Sequence, residues 1–123
     1  MGLSEMKLED VEAGKNVSEL IVRIISVAPA RMISTRSGRK TQLKEVLIAD
    51  ETGSVILSLW GFKEGQDLSG GIIIKITDGW AKEWNGKIQL SLGRSGKYEV
   101  MSDDALLPPT SSLMNQQSEI DRG

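Results

Sequence analysis

The sequence contains no cysteine and no histidine among its 123 residues. It therefore has no disulfide, no thiolate nucleophile, no imidazole base and no zinc site of the usual nitrogen and sulfur type. Catalysis by carboxylates alone would need converging acids, and the one acidic pair in the central region, Asp50 and Glu51, is better explained by a turn. The sequence predicts a protein that is not an enzyme and binds no metal or cofactor.

Long apolar runs are also missing. No stretch approaches the roughly 18 apolar residues that a membrane-spanning helix needs. The first five residues are polar and acidic, where a signal peptide would be basic and then apolar. The length fits about one domain, and a content of 39% hydrophobic and 26% charged residues is typical of a chain that buries a core. We expect a soluble cytoplasmic protein without a membrane partner.

Charge is segregated along the chain, although the formal net charge is only -2. Basic residues number two against four acidic ones in residues 1–16, twelve against eight in 17–98, and one against five in 99–123. We therefore predict an N-terminal lead-in over 1–16, a mildly basic domain over 17–98 and an acidic tail over 99–123. The tail is rich in Pro, Ser and Gln, which favours disorder. The basic centre permits a polyanionic ligand.

Five runs of strand-forming residues alternate with turn signals. The second and third runs are joined by Asp50-Glu51-Thr52-Gly53, a clear hairpin turn. Residues 31–40, 61–71 and 78–86 are predicted to be loops, the second with at most a short helical turn. Five short strands without a long amphipathic helix predict an all-β fold, a small closed or partly closed barrel. The predicted strands are Ser18–Ala28, Lys44–Asp50, Ser54–Trp60, Gly71–Thr77 and Lys87–Leu92.

The third and fifth predicted strands each have one apolar and one more polar face, because side chains alternate along a strand. The apolar faces are predicted to form the core. The other faces place a tryptophan, polar groups and a lysine on the surface. The inward sets are Val55, Leu57 and Leu59 in one strand and Ile88, Leu90 and Leu92 in the other, and the outward sets are Ile56, Ser58 and Trp60, and Lys87, Gln89 and Ser91.

The chain has only five aromatic residues, and three of them are Trp60, Trp80 and Trp84. A tryptophan in a small domain most often belongs to the core. Here Ile, Leu and Val already supply the core, and burial of the last two tryptophans would strand polar neighbours such as Lys82 and Lys87. Indoles exposed along one groove would instead stack on unpaired bases while Lys and Arg bind phosphates. This arrangement favours single strands, because a duplex hides the faces of its bases.

The predicted loop from 31 to 40 is basic, with Arg31, Arg36, Arg39 and Lys40. It could be an ordinary solvated loop. Its Ser-Gly-Arg-Lys-Thr run lacks the upstream glycine and the following helix of a nucleotide-binding loop. Beside a stacking groove, a mobile basic arm would contact phosphates. We predict that these four residues, together with Lys82 and Lys87, contact the nucleic acid backbone, with Ser58 and Gln89 as polar groups of the groove.

Several short motifs between residues 17 and 98 form a combined pattern. They are Asp50-Glu51-Thr52-Gly53, Leu57-Ser58-Leu59-Trp60-Gly61, Lys75-Ile76, Gly79-Trp80, Trp84-Asn85-Gly86-Lys87 and Gln89-Leu90. With these motifs the region resembles the archaeal single-barrel single-stranded DNA-binding proteins, which are replication protein A-like and also resemble the human single-barrel sensors of single-stranded DNA. The resemblance implies an oligonucleotide/oligosaccharide-binding (OB) fold, with Trp60, Trp80 and Trp84 stacking on bases and Arg31 near the strand. Relatives often carry Phe at the third aromatic position and a Gly- and Arg-rich tail, both of which differ here.

The function that we expect is largely sequence-independent binding of single-stranded DNA, protecting exposed strands in replication, repair or recombination. Such a protein would be a monomer with replication or repair proteins as further partners. Two alternatives stay open. The barrel could be a protein-interaction subunit of a replication protein A-like complex, with the tryptophans as interface anchors. It could also bind RNA, because stacking does not distinguish the sugars.

Overall fold

The computed structural model describes residues 6–62, 64–93, 95–102 and 107–113. A 3-10 turn at Leu8–Asp10 precedes the strands, and residues 110–113 form a helical turn. The strands of the described chain are β1 (Asn16–Val27), β2 (Arg31–Ser34), β3 (Lys40–Asp50), β4 (Gly53–Trp60), β5 (Ile73–Trp84), β6 (Lys87–Ser91) and β7 (Lys97–Met101).

Five of these strands close into a barrel. Around the ring they pair in the order β1, β3, β4, β6, β5 and back to β1, with β4 and β6 parallel and the other pairs antiparallel. β2 extends the sheet beside β3, and β7 pairs with β5. Between β4 and β5 the described residues form turns and no helix. The all-β prediction of a five-stranded barrel with little or no helix in this connection is confirmed.

The barrel core follows from the alternation of side chains along each strand. Val46, Leu57, Leu90 and Ala81 lie side by side across four strands, and none is more than 1% exposed. Each strand thus contributes every second residue to one apolar interior. Leu8 from the 3-10 turn joins the same cluster.

The predicted turn at 50–53 holds the N-terminal segment against the barrel. The buried Asp50 carboxylate accepts hydrogen bonds from the Leu8 N–H at 2.8 Å, the Thr52 N–H at 2.7 Å and the Thr52 hydroxyl at 2.6 Å. Glu51 pairs with Lys7 at 3.2 Å. The two acids therefore stabilise a turn and anchor part of the lead-in, whose residues 1–5 lie outside the described chain.

The prediction of a loop over residues 78–86 is wrong. β5 continues through it to Trp84, and the turn itself is Asn85-Gly86, where both residues have positive φ (52° and 79°), as a tight two-residue hairpin requires. The small residues Gly79 and Ala81 point inward, so this half of β5 lacks the large inward side chains that mark a buried strand. The sequence pattern is therefore typical of a polar loop.

The basic loop predicted over 31–40 is also wrong in part, because β2 and the first residues of β3 form a hairpin there. The turn between them is closed by the Thr35 N–H, which donates to the Arg39 carbonyl at 2.8 Å. β2 has only four residues and one partner strand, which explains its weak sequence signal. We call residues 31–42 the β2–β3 arm.

The C-terminal region is more ordered than its composition predicts. β7 crosses the boundary predicted at residue 98, and Leu107 and Leu113 are buried. Arg23, which is 3% exposed, donates to the carbonyls of Leu107 at 2.9 Å, Pro108 at 2.7 Å and Gly71 at 2.7 Å. Residues 107–113 are thus docked on β1. Of the predicted disordered tail, 103–106 and 114–123 lie outside the described chain.

Candidate nucleic-acid interface

Three neighbouring strands present one outward surface, which we call the outer face. Ser58 of β4 pairs with Ser91 of β6, and Ser91 pairs with Trp80 of β5, so the three form one row across the sheet. Since paired residues point to the same side of a sheet, the other outward residues follow from this row. The outer face comprises Ser54, Ile56, Ser58 and Trp60 of β4, Lys87, Gln89 and Ser91 of β6, and Trp80, Lys82 and Trp84 of β5.

The three tryptophans cross the outer face on a diagonal. Trp80 and Trp84 lie four residues apart on one strand, or about 13 Å at the usual rise per residue. Trp60 lies two strands away from Trp80 and two residues beyond its row, at about 12 Å between Cα atoms. The exposed fractions of Trp60, Trp80 and Trp84 are 46%, 43% and 61%. Three rigid aromatic surfaces are therefore open to solvent on the same side.

The local backbone explains why Trp80 faces outward. Its neighbours Gly79 and Ala81 take the inward positions, and both are buried. A Cβ at residue 79 would lie 3.1 Å from Ile76 Cγ2 and 3.3 Å from the Ser91 carbonyl oxygen. A side chain at residue 79 would therefore crowd the barrel interior, which favours a glycine beside the tryptophan. The large indole is left on the outside.

Two depressions flank the ends of β4 and β6 between Trp60 and Trp80. One is lined by Ser58, Trp60 and Glu64, and the other by Asn16, Asp78 and Trp80, with Leu92 and Gly93 shared by both. A flat ring that stacks on either indole would have space beside it for a sugar or a base edge. The surface is therefore grooved rather than flat at this point.

The two polar residues predicted for the groove, Gln89 and Ser58, differ in how far they are exposed. Gln89 is half-buried, and it lies opposite Lys82 and beside Ile56. Ser58 is only 4% exposed, because its short side chain lies between Glu45 of β3 and Ser91 on a central strand. Its contact with a ligand would be limited to the floor of the depression beside Trp60.

The predicted cations fall into two groups. Lys82 and Lys87 are exposed on the outer face, next to Gln89 and Trp84. Arg36, Arg39 and Lys40 are exposed near the tip of the β2–β3 arm.

Arg31 connects the arm to the outer face. It lies opposite Leu43, which lies opposite Trp60, so all three belong to one row. Arg31 Nη2 is 3.5 Å from Glu45 Oε1. The predicted hairpin at 50–53 already places Glu45 opposite Ser58, but its ion pair with Arg31 depends on the pairing of β2 with β3, which the sequence does not predict.

Another depression, at the Trp84 end of the outer face, was also missed. Its lining includes apolar Leu47 and Ile56 together with Ser54, Lys87 and Gln89. Regarding other ligands, no group of three or more carboxylates within the described ranges is arranged to hold a metal ion. In the same ranges no helix is long and apolar enough to cross a membrane.

Comparison with known proteins shows the family of this chain. The family described as "Single-stranded DNA binding protein Ssb-like, OB fold" matches residues 11–100. The chain belongs to this family. It is also 32% identical over 109 residues to the single-stranded DNA binding protein Ssb of Saccharolobus solfataricus, which covers 89% of this chain and 72% of that protein. Residues 11–100, the range matched by the family, include every predicted site residue.

Solved structures show the same fold at lower identity. The second OB-fold domain of replication protein A from Methanococcus maripaludis superposes with a TM-score of 0.68 at 19% identity, covering 81% of this chain and 97% of that domain. A replication protein A heterotrimer bound to single-stranded DNA contains a chain that matches with a TM-score of 0.68 at 19% identity, covering 87% of this chain and 27% of the other. These likenesses concern the barrel itself.

Proposed function

We propose that this OB-fold protein binds single-stranded DNA, largely without regard to sequence, and protects exposed strands in replication, repair or recombination. The observation that carries the proposal is the diagonal of Trp60, Trp80 and Trp84, all partly exposed on one outer face. Family membership and the Ssb relative support the same ligand. The role is binding and protection rather than catalysis.

Stacking explains both the choice of single strands and the tolerance of sequence. Every base has a flat aromatic face, so an indole can stack on any of the four, at about 1–3 kcal/mol per base. A duplex keeps those faces within its own stack. The outer face thus selects unpaired bases without reading their edges.

Phosphate neutralisation supplies the second part of the binding energy. Lys82 and Lys87 lie near the tryptophans on the outer face. At the Trp60 end, the β2–β3 arm adds four more cations, Arg31, Arg36, Arg39 and Lys40. Each phosphate that these cations neutralise should contribute a slope of about -0.7 to a plot of log affinity against log salt. Binding should therefore weaken steadily as salt is raised.

The experiment is a titration followed by tryptophan fluorescence. Single-stranded oligo-dT should quench the emission, and a duplex of equal length should bind far more weakly. A matched RNA oligomer, run as a competitor, decides whether the natural ligand is DNA or RNA. Poor binding of every oligomer, together with a tight complex with another protein, would instead identify a subunit of a larger assembly and overturn the proposal.

A further inference from the structure

Phe62 is a fourth exposed aromatic residue, and it lies just beyond Trp60. The exposed fraction of its side chain is 54%, larger than that of Trp60. The β3–β4 ladder ends at the pair formed by Leu43 and Trp60, but contacts to β3 continue. The Gly61 N–H donates to the Gln42 carbonyl at 2.9 Å, and the Gln42 side-chain amide donates to the Phe62 carbonyl at 3.3 Å. The backbone of Phe62 is therefore held in place.

Gly61 sets the direction of the chain at this point. Its φ of +124° lies in a region that favours glycine, so the chain leaves the regular pleat directly after Trp60. A Cβ at residue 61 would also lie 3.3 Å from Glu64 Cγ. The Trp60-Gly61-Phe62 sequence thus places a further aromatic residue, Phe62, just past the end of β4.

The backbone of Phe62 lies past Trp60, at the end of the outer face from which the β2–β3 arm extends. Gln42, which holds it, pairs with Met32 of β2, and the arm runs from there toward Arg36, Arg39 and Lys40. Because β3 is antiparallel to β4, the arm extends beyond the Trp60 end of the outer face. The diagonal from Trp84 through Trp80 to Trp60 also leads to this end of the outer face. Arg31 already lies in the row of Trp60, but Arg36, Arg39 and Lys40 lie farther out, so a strand that reaches them must pass the end of β4.

We propose that Phe62 is a fourth stacking platform for single-stranded nucleic acid, and that the binding track continues from Trp60 over Phe62 to the β2–β3 arm. This inference rests on the function proposed above and extends it to a specific additional nucleotide site. Single exposed apolar side chains are common on protein surfaces. The distinguishing features of Phe62 are its fixed backbone and its place between Trp60 and the three cations near the tip of the β2–β3 arm, Arg36, Arg39 and Lys40.

The test compares wild type with Phe62→Ala over oligo-dT of increasing length. Short oligomers, which the three tryptophans bind alone, should bind both proteins equally. Once the oligomer is long enough to pass Trp60, the variant should bind about five- to ten-fold more weakly, the low end expected for losing one stacked base. Comparing the ratio of the two affinities at each length cancels the extra binding positions that a longer strand offers to both proteins.

Two further variants separate stacking from a structural effect. Phe62→Trp should restore binding of the longer oligomers, and Val100→Ala, a change at an exposed apolar residue of β7, should match wild type at every length. Curves for Phe62→Ala that coincide with wild type throughout would overturn the inference, as would a loss of equal size at all lengths. Either result would leave binding by the three tryptophans intact, whereas failure of wild type to bind any oligomer would remove the proposed function itself.

Discussion

Arg31 and Glu45 form an ion pair that joins the β2–β3 arm to the outer face, with Nη2 and Oε1 3.5 Å apart. Glu45 also lies opposite Ser58, so its carboxylate continues the row of Ser58, Ser91 and Trp80. A carboxylate at this position repels phosphate and competes for the guanidinium that was predicted to bind it. We therefore expect Glu45 to weaken phosphate binding at Arg31.

Replacing this carboxylate should strengthen binding. In Glu45→Gln, Arg31 is freed and a negative charge leaves the row, so we expect affinity for oligo-dT to rise about two- to five-fold at low salt and the salt slope to steepen by up to about 0.7. Stability should change by less than about 0.5 kcal/mol, because exposed ion pairs contribute little. Fluorescence titrations at several salt concentrations measure both effects.

The matched control is Glu19→Gln, which removes an equal charge from β1, outside the outer face. It should give a smaller gain than Glu45→Gln at low salt, and no gain at high salt. Equal gains in the two variants would mean that overall charge, and not the position of Glu45, determines the effect.

The docking of residues 107–113 by Arg23 should stabilise the whole barrel. Arg23→Ala leaves three carbonyl groups without their donor in a buried site, those of Gly71, Leu107 and Pro108. We expect the free energy of unfolding to fall by roughly 2–4 kcal/mol, as is usual when a buried charged donor is removed. Urea denaturation measures the change.

A truncation after residue 102 tests the same contact from the other side. It removes Leu107 and Leu113, which are buried, and should also lower stability while leaving affinity for single strands at low temperature nearly unchanged. Arg36→Ala, at an exposed residue of the arm, is the control and should stay within about 0.5 kcal/mol of wild type. Full stability in the truncated chain would show that the C-terminal region contributes nothing to the fold.

Tyr98 links β7 to the connection between β4 and β5. Its hydroxyl donates to the Asp67 carboxylate at 2.7 Å. Partial burial and this neighbouring carboxylate raise the pKa of Tyr98 to about 12. In the unfolded chain the hydroxyl ionises at about pH 10. Because the folded state holds its proton to higher pH, the stabilisation is complete below about pH 10 and is lost as pH rises through 12.

This pH dependence can be measured directly, because the chain has a single tyrosine. An alkaline absorbance titration should give a midpoint near 12 in the folded protein. Between about pH 10 and 12, stability should fall more steeply in wild type than in Tyr98→Phe, which has no proton to lose. A midpoint near 10 in the folded state would contradict the predicted effect of Asp67.

Much of the barrel could be read from the sequence because its strands alternate clearly. The turn at 50–53 and the inward set of Leu57, Leu59 and Leu90 needed only turn chemistry and a period of two. The predicted strand ends at Thr77, well before the end of β5, because Gly79 and Ala81 give no apolar signal. Their small size reflects close packing that only the folded barrel reveals. The Asn85-Gly86 pair was the available sign of the true hairpin.

The rest depended on contacts between residues distant in sequence. β2 forms because β3 is there to pair with it, and the ion pair of Arg31 with Glu45 follows from that pairing. Leu107 and Leu113 are buried although they lie in a polar, acidic segment, and the hydrogen bonds that hold this segment come from Arg23, more than 80 residues earlier. For the candidate site, the sequence suggested the tryptophans, but their common face required the register that links Ser58, Ser91 and Trp80.

The most direct test of the account is the affinity of the double variant Trp60→Ala/Trp80→Ala for oligo-dT. Two stacking platforms at about 1–3 kcal/mol each should together cost at least about 30-fold in affinity. The fold should survive, because both side chains are partly exposed on the outer face. Binding that matches wild type in a folded double variant would contradict the claim that the exposed tryptophans hold the strand.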